Sequence, residues 1–178
     1  MRARLTAVFL VAAFCNMGSR PSHGLPAEKP LPNIFVSVLA EVKAKTNITV
    51  LLPTELPEPF RYAAHAMVKA KADEYAVILY YELGVGDAGF AASLLANNNS
   101  SYSPRELPNV QKVKLASGIV GFFRPVSCGG SCAPANLWWE RGTVLYDIQL
   151  RLPSTLSEKK QQNIITEVAN SAILAGPR

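Results

Sequence analysis

The segment NLWWERGTVLYDIQLR, which runs from Asn136 to Arg151, has the pattern of a β-hairpin. Two runs rich in aromatic and aliphatic residues flank the pair Arg141-Gly142, which predicts a tight turn. Consecutive side chains of a strand point to opposite faces, so Trp138 and Trp139 are expected on opposite sides of a sheet. We predict one of these rings buried against a helix and the other at or near the opposite surface.

Upstream of this hairpin, apolar runs alternate with turn residues at the spacing of sequential strands. The predicted strands are Arg61–Ala70, Tyr75–Leu83, Val110–Ala116, Ile119–Arg124, Asn136–Arg141 and Val144–Arg151, with the apolar run Phe90–Ala96 between the second and the third. Ile48–Leu52 is a further β-branched and apolar run, which Pro53 ends. The polar tract Asn97–Ser103 is predicted to be a mobile loop.

A helix is predicted at each end of this series of strands. Asn33 is the expected N-cap of the first helix, whose apolar face is formed by Phe35, Val38, Leu39 and Val42. Thr155 and Glu158 have the spacing of a capping box ahead of the second helix, and Gly176-Pro177 predicts its end. The order helix, strands, helix predicts an α+β domain with a largely antiparallel sheet flanked by an N-terminal and a C-terminal helix.

Residues 1–24 have the features of a secretory signal peptide. Arg2 and Arg4 precede the apolar run Leu5–Phe14, which is shorter than the roughly 20 residues that a membrane-spanning helix needs. The small residues of Ser22-His23-Gly24 suit cleavage after Gly24, so the mature chain is expected to begin at Leu25. Residues 25–32 are then a proline-containing linker, and residues 33–178 form a single domain.

Lipid attachment at Cys15 is the alternative to cleavage after Gly24, although Phe14 stands where a small residue is normally required. Either route predicts a periplasmic or secreted protein. Loss of three leader arginines lowers the formal charge from +5 to +2, because the leader carries no acidic residue. No dense Lys/Arg block remains to indicate nucleic acid as a partner, and no other apolar stretch is long enough for a transmembrane segment.

Cys128 and Cys132, separated by Gly-Gly-Ser, are the cysteines of the expected mature chain. In an oxidising compartment they are predicted to form a disulfide. A redox-active pair is the weaker alternative, because the spacing is not Cys-x-x-Cys. A metal site is weaker still, since structural zinc takes four ligands and His65 is the only further sulfur or nitrogen donor.

No sequence motif assigns a catalytic residue, a cofactor or a metal. His65 is predicted to be a partly buried residue in the middle of a strand, and the signatures of serine hydrolases, zinc proteases and P-loop proteins are absent. The alternative from the enzyme class is a small secreted hydrolase that uses carboxylates among Glu82, Glu140 and Asp147.

Aromatic doublets are the main candidates for a binding surface. Tyr80-Tyr81, Phe122-Phe123 and Trp138-Trp139 each place one ring on either side of the sheet. One face must be covered by helix, and the other is either a second buried layer or an exposed surface for binding. The candidate binding residues are therefore Trp138, Trp139, Tyr80 and Tyr81, with an unidentified envelope protein or ligand as the partner.

The chain also resembles a known group of proteins over residues 49–172. The resemblance rests on VLLPTELP (Val50–Pro57), on LWWERG (Leu137–Gly142) followed by Tyr146, and on the final helix region with Ser157. These features are similar to a bacterial extracytoplasmic domain of unknown function that also occurs attached to anti-sigma-factor-like membrane proteins. The resemblance implies a β-rich α+β fold in the bacterial envelope and transfers no catalytic residue. It favours an exported, noncatalytic binding or accessory domain.

Overall fold

Residues 29–178, which the computed structural model describes, contain two α-helices at the ends of a series of antiparallel strands. The helices are α1 (Asn33–Lys45) and α2 (Glu158–Ala175). The strands are β1 (His65–Lys71), β2 (Glu74–Tyr80), β3 (Phe90–Asn98), β4 (Gln111–Lys114), β5 (Val120–Arg124), β6 (Ser127–Cys128), β7 (Cys132–Ala133), β8 (Ala135–Arg141) and β9 (Val144–Leu150). The predicted signal peptide and the start of the predicted linker lie outside the described residues.

Seven strands form one antiparallel sheet in the order β1-β2-β3-β9-β8-β5-β4, and β6 and β7 form a separate two-stranded ribbon. The predicted hairpin is confirmed as β8 and β9, which lie in the middle of the sheet. Arg141 pairs with Val144, so the turn consists of Gly142 and Thr143. Gly142 has a φ of 62°, a left-handed conformation that glycine adopts without steric cost. The α+β class and the antiparallel sheet agree with the prediction.

One face of the sheet packs against both helices and forms the hydrophobic core. Its fully buried members include Val77, Leu79, Phe123, Leu137, Trp139 and Ile148. Helix α1 packs against β1 and helix α2 against β8 and β9. Each large apolar side chain removed from water in this way contributes about 1.5–3 kcal/mol to stability.

The opposite face carries the alternate residues of the same strands and is called the open face below. Neither α1 nor α2 packs against it. By the alternation of side chains it includes Met67, Ile78, Leu95, Phe122, Trp138 and Asp147. A connection after β3 covers one part of this face, as described below.

The run Ile48–Leu52 is buried except at Thr49, but it pairs with no strand among the described residues. Two tyrosine hydroxyls from the core face satisfy part of its backbone instead, and Val50 O accepts from Arg178 N at 3.1 Å. The hydroxyl of Tyr75 accepts from Leu51 N at 3.1 Å and donates to Leu51 O at 3.3 Å, and the hydroxyl of Tyr146 donates to Thr49 O at 2.9 Å. Buried backbone groups need hydrogen-bond partners, and here side chains supply most of them.

Both predicted helix caps are wrong by a small distance along the chain. The N-cap of α1 is Pro32, and Asn33 is already its first helical residue. Ser157 rather than Thr155 caps α2, since its side chain accepts from Lys160 N at 3.4 Å. Ser157 lies next to the first helical residue, whereas Thr155 lies in the preceding turn. The predicted end of α2 is confirmed, because Gly176 with a φ of 73° is its C-cap.

Several strand ends also differ from the prediction. The strand predicted from Arg61 begins at His65, because Phe60–Tyr62 form a short 3₁₀ turn that buries Phe60. The next strand ends at Tyr80, ahead of the glycine-containing connection. Asn97 and Asn98, predicted to belong to a loop, extend β3 instead. No helix among residues 29–178 is long and apolar enough to cross a membrane.

Candidate functional site

Polar side chains meet on the open face where β5, β8 and β9 lie side by side. The strand register places Arg124 opposite Asn136 and Asn136 opposite Gln149. In the adjacent row, Trp138 lies opposite Asp147. Because side chains two positions apart on a strand share a face, all five of these side chains project from the same side of the sheet.

Hydrogen bonds join these polar groups into a chain. Arg124 Nη2 donates to Asn136 Oδ1 at 3.3 Å, and Asn136 Nδ2 donates to Asp147 Oδ1 at 3.2 Å. Gln149 Nε2 donates to the second carboxylate oxygen, Asp147 Oδ2, at 3.2 Å. The bond from Arg124 makes the Asn136 oxygen the acceptor, so its amide nitrogen faces Asp147. The orientation of each group is thereby determined by its neighbours.

The environment of Asp147 changes its protonation. Burial raises the pKa of Asp147 from 3.8 to about 6, because the charged form loses hydration. Hydrogen bonds from Gln149, Asn136 and Trp138, together with the positive charge of Arg124, lower the pKa and offset part of this effect. Asp147 is therefore mainly ionised at neutral pH and mainly protonated below about pH 6.

Two other side chains cover the ring of Trp138. The guanidinium carbon of Arg124 is 5.4 Å from the centre of the Trp138 ring. The ring of Tyr102, from the connection between β3 and β4, has its centre 6.0 Å from that of Trp138 and is inclined to it by 51°. Trp138 is consequently only 3% exposed, whereas Tyr102 is 45% exposed.

These residues enclose a cleft of about 380 Å³ on the open face, called the Asp147 cleft below. Its walls include Tyr102, Arg124, Asn136, Trp138, Asp147 and Gln149. Small-molecule sites typically have volumes of about 300–1,000 Å³ and combine aromatic surface with a few converging polar groups. The Asp147 cleft has both properties.

The two tryptophans point to opposite faces, as predicted, but neither is exposed. Trp139 is 2% exposed in the helix-covered core, where its ring stacks on Tyr146 with 5.4 Å between centres and 10° between planes. Trp138 lies on the face opposite the helices, near the surface and in the lining of the cleft, but Tyr102 and Arg124 cover its ring. Of the pair, Trp138 lines the Asp147 cleft and Trp139 does not.

Tyr80 and Tyr81 lie away from the Asp147 cleft. Tyr80 is on the open face at the end of β2, where its ring meets Phe90 edge-on with 6.4 Å between centres. Tyr81 packs against the hydrophobic core, and burial raises the pKa of its hydroxyl. The four predicted binding residues therefore do not form one surface.

The three carboxylates considered for hydrolysis do not converge either. Within residues 29–178, Asp147 is the only carboxylate that lines its cleft. Glu140 forms an ion pair with Arg105 at 2.9 Å in a neighbouring cleft that also contains Phe122. Glu82 is exposed beyond the end of β2.

His65 is exposed at the first position of β1, and not partly buried within a strand as predicted. The edge of the sheet at β1 leaves this side chain without cover. Among residues 29–178, no group of three or more histidine, cysteine, aspartate or glutamate side chains is placed to hold a metal ion.

The disulfide between Cys128 and Cys132 is confirmed, with the two sulfurs 2.06 Å apart. It joins β6 to β7, and every residue of that ribbon is exposed. The disulfide therefore closes a surface loop and contributes nothing to the hydrophobic core.

Sequence reasoning did not find Arg124, Asn136, Gln149 or Tyr102 as site residues. One signal was present: polar residues repeat at every second position of β9, at Asp147 and Gln149, opposite the buried apolar positions. The register that brings them to Asn136 and Arg124 is a property of strand pairing, and Tyr102 reaches the cleft only through the path of its loop.

Comparison of the chain with protein families, with curated proteins and with solved structures gives no match. The resemblance to extracytoplasmic bacterial domains accordingly stays an expectation from the sequence.

Proposed function

We propose that the protein is an exported, noncatalytic binding or accessory domain of the bacterial envelope or extracellular space, and that its ligand binds in the Asp147 cleft. The observation that carries this proposal is the hydrogen-bonded chain from Arg124 through Asn136 and Asp147 to Gln149. A polar chain that lines a cleft on a sheet face free of helices is oriented before any ligand arrives, which lowers the cost of binding.

The composition of the cleft favours binding over hydrolysis. Glycoside hydrolysis, the model for carboxylate enzymes, normally takes two carboxyl groups on either side of the scissile bond. The Asp147 cleft contributes one, and its other polar walls are three amides (Asn97, Asn136 and Gln149), the hydroxyls of Ser100 and Tyr102, and Arg124. These groups orient and bind, whereas none of them transfers a proton readily near neutral pH.

Two features support export. The first is the basic and apolar leader ahead of Gly24, which is typical of a signal peptide. The second is the exposed disulfide between Cys128 and Cys132, a bond that persists in oxidising compartments and is rare in the cytosol.

The proposal is tested by recording amide chemical shifts of the exported protein while adding small-molecule fractions of the producing cell's envelope. We expect the perturbed amides to cluster on β8, β9 and the residues around Tyr102. The Tyr102→Ala variant should lose this response, whereas the matched control Tyr62→Ala, which removes a 63% exposed tyrosine outside the cleft, should retain it.

Perturbations confined to other surfaces, or a response that survives Tyr102→Ala unchanged, would overturn the assignment of the cleft. Conversion of an added compound into new products, abolished by Asp147→Asn, would instead establish the hydrolase alternative.

A further inference from the structure

The chemistry of the Asp147 cleft indicates a class of ligand, an inference that rests on the proposed function. We propose that the cleft binds an uncharged saccharide, whose hydroxyls bond to Asp147, Gln149 and Arg124 and whose ring lies against Tyr102.

Unused acceptors and donors lie next to each other in the cleft. An ionised carboxylate has about four lone-pair sites, and Asp147 uses them for bonds from Asn136, Gln149 and Trp138, which leaves capacity for another donor. The oxygen of the Gln149 side chain receives no hydrogen bond from the described residues. Arg124 makes one side-chain hydrogen bond and no ion pair within residues 29–178. A hydroxyl group, which both donates and accepts, complements such a set.

The balance of charge in the cleft disfavours a ligand with a net charge. A cation placed against Asp147 would also meet Arg124, and an anion placed against Arg124 would also meet Asp147. Within a partly buried cleft such repulsion is screened less than in water. A neutral ligand that carries many hydroxyls avoids both penalties.

The aromatic side chains of the cleft offer a surface for the apolar face of the ligand. Tyr102 is 45% exposed and presents a ring to the cleft, against which the C–H face of a sugar can pack. Trp138 is 3% exposed and supports Tyr102 from below, so we assign it a positioning role. Tyr102 is therefore the side chain whose loss should affect binding more than folding.

Isothermal titration of the exported protein with maltotetraose, cellotetraose and chitotetraose at millimolar concentrations tests this inference. We expect at least one to bind, and Tyr102→Ala and Gln149→Ala each to weaken that binding by about tenfold, since one hydrogen bond or ring contact is of that order. The matched control Tyr62→Ala should leave the affinity unchanged, and thermal unfolding should show that all three variants remain folded.

Absence of binding by all three saccharides would overturn the ligand class, as would binding that Tyr102→Ala and Gln149→Ala leave unaltered. Inorganic phosphate, an anion, and alanyl-alanine, a zwitterion without net charge, serve as comparison probes. If one of these binds in the cleft and the saccharides do not, the ligand class is wrong while the proposed binding function stands. If the amide shifts of the cleft respond to no probe and to no envelope fraction, both proposals fail.

Discussion

At the scale of single residues, Trp138 and Trp139 are neighbours in sequence that serve different faces of one sheet. Trp139 packs in the core between the sheet and α2, and Trp138 supports the wall of the Asp147 cleft. Both are almost fully buried, at 2% and 3% exposure. The sheet is therefore covered on both sides at this position, by a helix on one side and by loop and arginine side chains on the other.

We expect Trp138→Ala and Trp139→Ala each to lower the free energy of unfolding by about 3–5 kcal/mol, the usual range for truncation of a buried tryptophan. Urea unfolding followed by circular dichroism measures this. Leu174→Ala, at a 72% exposed position, is the control and should change stability by no more than about 0.5 kcal/mol. A Trp138→Ala variant as stable as the parent would show that its cover is not formed in solution.

Asp147 makes stability depend on pH in the direction opposite to that of most carboxylates. Its pKa is about 6 in the folded protein and near 3.8 when the chain is unfolded. Below about pH 4 both states are protonated, and between the two values the folded state binds more protons. The free energy of unfolding therefore falls as pH rises through this window, and the destabilisation is complete above about pH 6.

The Asp147→Asn variant, which does not titrate, should lack this contribution. Between about pH 4 and pH 7 the parent should lose up to about 3 kcal/mol relative to the variant, since one pKa unit corresponds to about 1.4 kcal/mol. Urea unfolding at a series of pH values measures the difference. In the Asp147→Asn variant, the Gln149 amide can rotate and form a hydrogen bond with the introduced asparagine. Parallel pH profiles for the two proteins would contradict the raised pKa.

At the scale of elements, the start of α2 depends on one hydroxyl. Ser157 accepts from Lys160 N, whereas Thr155, also a plausible cap by its spacing, lies in a turn before the helix. We expect Ser157→Ala to cost about 1 kcal/mol of stability and Thr155→Ala less than about 0.5 kcal/mol. Chemical unfolding of the two variants decides between the caps. The reverse order would return the capping role to Thr155.

The ribbon of β6 and β7 depends on its disulfide more than the sheet does. Replacing Cys128 and Cys132 by serine should lower stability by about 2 kcal/mol, the chain-entropy cost of opening so short a loop. Unreduced, denatured parent protein should show no free thiol from this pair on labelling. Loss of cooperative unfolding in the double variant would mean that the disulfide supports the whole domain.

At the scale of the whole molecule, the sheet is asymmetric in what covers it. Both helices pack on one face, and the other face is divided between apolar side chains near β2 and the polar cleft on β8 and β9. The core supplies stability on one side, so the open face can keep polar groups in a partly buried cleft. Stability therefore depends mainly on the helix-covered face, and the proposed binding function depends on the open face.

Export also concerns the whole molecule. The leader ahead of Gly24 predicts that the periplasmic or secreted form begins near Leu25, because signal peptidase cleaves after small residues that follow an apolar run. Intact-mass measurement of the protein recovered from the envelope or medium tests this. A mass that includes Met1 would contradict it, and a lipid-modified mass would support attachment at Cys15.

Local patterns in the sequence were sufficient for the main elements of the fold. Two aromatic and aliphatic runs around a glycine turn predicted the β8 and β9 hairpin. Helical spacing of apolar residues predicted α1, start and stop signals predicted α2, and the short Gly-Gly-Ser spacer predicted the disulfide. Each of these depends on residues within a few positions of one another, so the information is contained in a short window. Of the Asp147 cleft, the same patterns yielded only Trp138 and Asp147 as candidates.

Tertiary structure alone decided the features that join distant parts of the chain. Ile48–Leu52 has the composition of a strand, yet Tyr146, which is 97 residues away from Thr49, supplies a hydrogen bond that a partner strand would have made. The cover over Trp138 and the approach of Arg124 to Asn136 likewise follow from loop path and strand register. Such contacts depend on which surfaces the folded chain brings together, and no periodicity along the sequence encodes that.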